Sequence, residues 1–106
     1  AGVTFAPRCL TDVPAKDLKP MADEMKARMG SGVVALVAVN EGKASLVVSV
    51  SDDLTEKFDA VSLVRIGAKT LGGKGGGGRP DMAQAGGPDG AKAAQALEAI
   101  EKALAG

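Results

Sequence analysis

A chain of 106 residues can enclose one hydrophobic core but not two. With 45% apolar and 25% charged residues it has the composition of a globular domain, while an aromatic share of 2%, Phe5 and Phe58 alone, removes stacking platforms for bases. Thirteen Lys and Arg balance thirteen Asp and Glu, so no global field announces nucleic acid or membrane, and the lack of histidine excludes imidazole bases, Ser-His or Cys-His nucleophiles and histidine metal sites.

Val3 to Leu10 alternates weakly and contains Pro7, which cannot donate to a ladder, so it reads as an edge strand or a strand with a bulge. Cys9, the lone cysteine, excludes a disulfide framework, suits a reducing cytosol and is expected as a small buried hydrophobe. From Asp17, a candidate N-cap, Leu18, Met21, Ala22, Met25 and Met29 recur at helical spacing. Pro20 falls in the first turn, Gly30 ends the run and Glu24 can pair with Arg28. "VVALVAV", Val33 to Val39, is apolar throughout and too short for most helices, which predicts a strand covered on both faces. "NEGK" supplies a turn, and Ala44 to Ser51 puts Leu46, Val48 and Val50 on one face, predicting an antiparallel hairpin.

"SDDLTEKFDAVSLVRIGAKTLGG" reads as one long second helix with Asp53 and Glu56 as a capping box and Gly72-Gly73 as its stop. A glycine run follows, read as a shaped loop, then a short strand over Met82 to Ala85. The last helix opens at Asp89, with Ala93, Leu97, Ile100 and Leu104 inward and Glu98 paired with Lys102 outside. These elements predict an α/β fold: a single domain with a mixed β-sheet of about four to five strands, a central antiparallel hairpin and three flanking helices. No apolar run approaches the roughly 20 residues that span a bilayer, and no secretory signal opens the chain, so a soluble protein is expected. Its start at Ala1-Gly2 reads as a processed chain or a piece of something larger.

The glycine run matches G-x-G-x-x-G at Gly73, Gly75 and Gly78, but it follows a helix and lacks the acidic residue of a dinucleotide fingerprint. The Walker pattern fails as well. What remains is physical: glycines let backbone N–H groups approach an anion, and Arg65, Lys69, Lys74 and Arg79 form a cationic island without an acidic residue between Asp59 and Asp81. Arg65 is read as a cation on the solvated face of the helix. Asp81, after Pro80, reads as a turn residue rather than a base.

"GGKGGGGRPDMAQAGG", Gly72 to Gly87, closely resembles the motif of the globular C-terminal domain of bacterial alanyl-tRNA synthetases, a relative of the domain that follows the DHH module in many phosphoesterases. "VVALVAVNEGKASLVVSVSDDLTEKFDA" is similar to that family's central hairpin and next helix, so the resemblance covers nearly the whole chain. It implies that residues 1–106 are a single tRNA-binding module of a longer cytoplasmic synthetase. The parent joins alanine to tRNA with ATP and magnesium, and a separate zinc-bearing domain hydrolyses mischarged tRNA.

For the module itself the resemblance implies no catalytic residue, no metal and no cofactor. It would hold the outer corner of tRNA, where the D and T loops meet, and help couple aminoacylation with editing. The implied partners are alanine-accepting tRNA and the other domains of the synthetase, with no membrane; a homodimer or structural module is the alternative, and a phosphoesterase nucleotide domain a more distant one. Nucleic-acid contacts carry over to Lys74, Gly75, Gly76, Gly77, Gly78, Arg79 and Gln84, with Lys69 of the cationic island assigned beside them, and turn or structural roles to Asp81, Gly86 and Gly87. Two departures stand out: Arg79 occupies the place of the phosphoesterases' histidine, and the glycine run is one residue longer than expected for the family, which shifts the aim of Lys74.

Overall fold

Val33–Asn40 (β2) is buried from Val33 through Ala38 on both of its faces, which fixes it inside the sheet and decides where everything else can go. In the computed structural model, which describes residues 4–11, 13–73 and 76–105, β2 lies between Phe5–Thr11 (β1) and Lys43–Val50 (β3). Beyond β3 come Met82–Gly87 (β5) and, at the far edge, Gly76–Arg79 (β4), giving the order β1-β2-β3-β5-β4. Only β1 and β2 run parallel; the other pairs are antiparallel, so the sheet is mixed.

The parallel pair is joined by the helix Leu18–Met29 (α1), which ends at Gly30 with φ 80° and the Gly30 amide donating to the Lys26 carbonyl at 3.0 Å. Glu24 and Arg28 pair across one turn at 2.7 Å. Asp17 belongs to a 3₁₀ turn before α1 and makes no side-chain cap bond. The β2–β3 turn places Glu41 at φ 53° and Gly42 at φ 78°, the two positive values a type I′ hairpin needs.

Strand alternation divides the core into two layers. Val34, Leu36, Val47 and Met82 meet Leu18 and Ala22 of α1, with Met21, Met25 and Met29 at the border. The opposite face packs against the helices Ala60–Thr70 (α2) and Ala93–Ala105 (α3), through Leu46, Val48, Val64, Leu97, Ile100 and Leu104 among others.

Four expectations are corrected. The second helix does not begin near Asp53: a 3₁₀ turn at Asp52–Leu54 and a bend carry the chain from β3 to Asp59, whose side chain accepts from the Val61 amide at 2.9 Å and caps α2. Glu98 and Lys102 are both exposed and do not meet. Cys9 is exposed, because β1 is an edge strand with a sheet neighbour on one side only. The glycine run, expected as a loop, is in its described part the strand β4.

Candidate functional site

β4 exists because of its turn. Pro80 and Asp81 form a two-residue connection that folds β4 back on β5 in the register Gly76↔Ala85, Gly77↔Gln84, Gly78↔Ala83 and Arg79↔Met82. The turn is pinned from two directions: the Ala60 amide donates to the Pro80 carbonyl at 2.9 Å and the Val50 amide donates to the Asp81 carbonyl at 2.8 Å. The hairpin is thereby tied to the start of α2 and the end of β3, so residues with almost no side-chain mass still hold a defined strand.

The register sorts the predicted residues by face. Directly opposed residues share a side, and Met82 belongs to the α1 layer while Ala83 belongs to the α2–α3 layer. Gly77, Arg79 and Gln84 therefore lie on the α1 side, and Gly76 and Gly78 on the other. On the α1 side the helix covers Met82 but leaves Gln84 exposed beside a depression of about 220 Å³ lined by Leu18, Ser45, Leu46, Val47, Gln84 and Ala85. The Arg79 side chain is 76% exposed, with Nε 3.6 Å from Asp81 Oδ1, a contact of the kind that contributes little at a surface. Gly77 has open space around the position a Cβ would take.

Lys69 is exposed on α2, across the sheet from Gln84. Lys74 and Gly75 lie outside the described residues. Arg65 is exposed on α2, as its reading from sequence expects, and in addition donates from Nε to the Gly76 carbonyl at 3.3 Å. The packing of α2 beside β4 makes this contact, which joins residues 11 positions apart.

Other glycines serve packing. A Cβ at Gly73 would strike the Gly86 carbonyl, and one at Gly87 the Leu71 carbonyl, so the end of α2 and the end of β5 approach backbone to backbone. The Gly73 amide donates to the Ala68 carbonyl at 2.8 Å and Asp89 donates to Leu71 at 3.0 Å, closing the helix end.

A larger groove of about 540 Å³ lies between the end of α1 and the chain leaving β3, lined by Asp23, Lys26, Ser31, Ser51, Asp52 and Asp53 among others. Ser31 Oγ donates to Asp53 Oδ2 at 2.6 Å. That bond, with a second from Ser51, holds the Asp53 carboxyl below its usual range against a smaller opposing effect of desolvation. Among the described residues no cluster of three or more His, Cys, Asp or Glu could hold a metal ion.

The model of the DHHA1 domain family matches residues 2–106. The alanine-tRNA ligase of Paramagnetospirillum magneticum is 63% identical over 105 residues, covering 99% of this chain, and that of Sinorhizobium medicae is 62% identical over 106 residues, also covering 99%. The chain spans about 12% of the length of either relative. The C-Ala domain of Aquifex aeolicus alanyl-tRNA synthetase superposes with a TM-score of 0.93 at 30% identity, covering 100% of this chain and 95% of that one. RecJ of Thermus thermophilus superposes with a TM-score of 0.63 at 18% identity, covering 93% of this chain and 14% of that one, a likeness of fold alone.

Proposed function

The chain belongs to the DHHA1 domain family, and from that premise we propose that it is the tRNA-holding C-terminal module of an alanine-tRNA ligase. It binds the outer corner of tRNA, where the D and T loops meet, and helps bring the aminoacylation and editing sites of the parent onto one tRNA. The parent, a cytoplasmic enzyme, uses ATP and magnesium for ligation and a zinc-bearing domain for editing. The module contributes no catalytic group, a reading supported by the lack of any histidine in the chain. For the same reason no nucleotide turnover is expected with added manganese, as a phosphoesterase would give.

The observation that carries the proposal is the β4–β5 hairpin, which sets the Arg79 guanidinium and the Gln84 amide on one exposed face at the open edge of the sheet. In an antiparallel pair only alternate residues use their N–H groups in the ladder, so an edge strand turns the remaining donors outward. With no side chains on Gly76, Gly77 and Gly78, a sugar-phosphate chain can come close to those donors. Arg79 and Lys74 supply charge, and Gln84 supplies a neutral donor and acceptor for a ribose or base edge.

The test is a titration of fluorescent alanine tRNA with this chain and with the Lys74→Ala/Arg79→Ala double variant, over about 50 to 200 mM salt. The variant is expected to bind more weakly, its log–log salt slope flatter by roughly 0.7–0.9 for each phosphate contact removed. Indistinguishable titrations would overturn the proposal.

A second reading, a dimerisation or structural module of the same enzyme, draws support from the close approach of Gly73 to Gly86 and of Gly87 to Leu71, which gives those glycines a packing use. Sedimentation of the chain separates the two. A stable dimer without tRNA affinity favours assembly, and a monomer that binds tRNA favours recognition.

A further inference from the structure

Arg65 is held differently from the paired cations. Arg28 pairs with Glu24 at 2.7 Å, Lys92 with Asp89 at 3.7 Å and Arg79 with Asp81 at 3.6 Å, so each of those charges is met by an opposite one. Arg65 Nε donates to a main-chain carbonyl, that of Gly76, and among the described residues no carboxylate lies within 4 Å of its guanidinium. A carbonyl orients a guanidinium without neutralising it. With Nε committed to the strand, the two terminal nitrogens remain as a planar fork, the geometry that grips a phosphate through two parallel hydrogen bonds.

The position of the fork matters as much as its charge. Gly76 belongs to the edge strand, which among the described residues has no strand neighbour on its outer side, and Arg65 is exposed where α2 packs beside it. Lys69 lies one helical turn further along α2 and is also exposed, which separates the two Cβ atoms by about 5–6 Å on one stripe. Gly76 cannot easily shift to release the contact. A Cβ there would already collide with Gln84 and Ala85, so its backbone is fitted closely against β5.

We infer that Arg65 is a phosphodiester-binding residue, prealigned by its Nε bond to the Gly76 carbonyl so that its terminal nitrogens clamp one RNA phosphate at the outer edge of β4. Lys69 meets a neighbouring phosphate from the next turn of α2. The inference rests on the tRNA reading and extends it from the face that carries Arg79 and Gln84 around the sheet edge to α2, so that the RNA strand is held from both sides of the glycine strand.

The experiment compares Arg65→Lys, Arg65→Ala and, as a surface control, Arg28→Ala with the parent chain, using fluorescent alanine tRNA in a salt series and checking each fold by circular dichroism and its unfolding midpoint. Arg65→Ala should lose about tenfold in affinity at low salt, with a slope flatter by roughly 0.7–0.9. Arg65→Lys keeps the charge but not the fork, so it should hold the parental slope and still lose about threefold to tenfold. Arg28→Ala should titrate as the parent does. If Arg65→Ala also matches the parent while Lys74→Ala/Arg79→Ala is weakened, the inference fails and the tRNA reading stands. If Arg65→Lys is indistinguishable from the parent, the two-pronged grip is wrong. Should Arg65→Ala not fold, Arg65→Lys decides alone. Absence of salt-dependent tRNA binding by the parent chain removes both claims.

Discussion

The Ser31 hydroxyl ties the loop after α1 to the chain leaving β3 by donating to Asp53 at 2.6 Å, and Ser51, buried, accepts from the Gly32 amide at 2.9 Å in the same corner. Hydrogen bonds to the ionised carboxylate lower its pKa in the folded chain, Ser31 contributing most. The stability this provides is fully present above the unfolded value, about 3.9 for an aspartate, and is lost as pH falls through the lower folded value. Ser31→Ala is therefore expected to move the Asp53 titration upward and to make the unfolding midpoint less sensitive to acid below about pH 4. A carbon-detected NMR titration of the Asp53 carboxyl checks the first effect and thermal melts between about pH 2 and 5 the second. An unchanged titration would mean that the serine bond does not form in solution. Because Asp53 is exposed, the effect on midpoint should be small.

Among the elements, α2 carries the sharpest packing constraint. Gly67, in its middle, lies where a Cβ would come to 2.5 Å from Leu46 Cδ2 and 3.1 Å from Ile100 Cδ1, so the missing side chain lets α2 settle on both the sheet and α3. Alanine there would gain about 1 kcal/mol in helix propensity. Overpacking of a full core costs about 1–3 kcal/mol, and Leu46 and Ile100 are completely buried, so both side chains would have to turn within the core to admit the methyl group. Gly67→Ala should therefore destabilise, whereas Gly77→Ala, with nothing within 4 Å of its Cβ, should change stability by no more than about 0.5 kcal/mol. Urea unfolding of the two variants gives the comparison, and a more stable Gly67→Ala would contradict the packing. Elements whose side chains face a covered surface were legible in the sequence: the all-apolar β2, the alternating β3, the methionine stripe of α1 and the inward stripe of α3. The strand β4 was not, because three of its four residues are glycines and it is held by its turn and by backbone pairing rather than by a side-chain pattern. The start of α2 was hidden for a related reason, since Asp52-Asp53 has the look of a cap while Asp59 makes the capping bond. The site shares that limit: glycines and cations can be counted along the chain, but it takes the β4–β5 register to put Arg79 on one face with Gln84, and the packing of α2 beside β4 to bring Arg65 to Gly76.

For the molecule as a whole, equal numbers of acidic and basic residues mean that attraction to a polyanion cannot come from net charge. It has to come from arrangement. The sheet edge gathers Arg65, Lys69 and Arg79, whereas the groove at the end of α1 collects Asp23, Asp52 and Asp53, which repel phosphate and so restrict how RNA can dock. Few cations therefore act on the RNA at once, and affinity should be modest and strongly dependent on salt. The same geometry bears on selectivity. Contacts to phosphates position a nucleic acid without reading its sequence, and Gln84 is the one predicted side chain assigned to a ribose or base edge rather than to a phosphate. A chain built in this way should bind alanine tRNA and a tRNA for another amino acid with affinities within about threefold of each other, while an RNA hairpin lacking the folded corner should bind distinctly more weakly. Competition titrations against one labelled alanine tRNA measure all three. A preference of tenfold or more for alanine tRNA would require base reading at several positions, and equal binding of the simple hairpin would reduce the interaction to a charged edge meeting any RNA backbone.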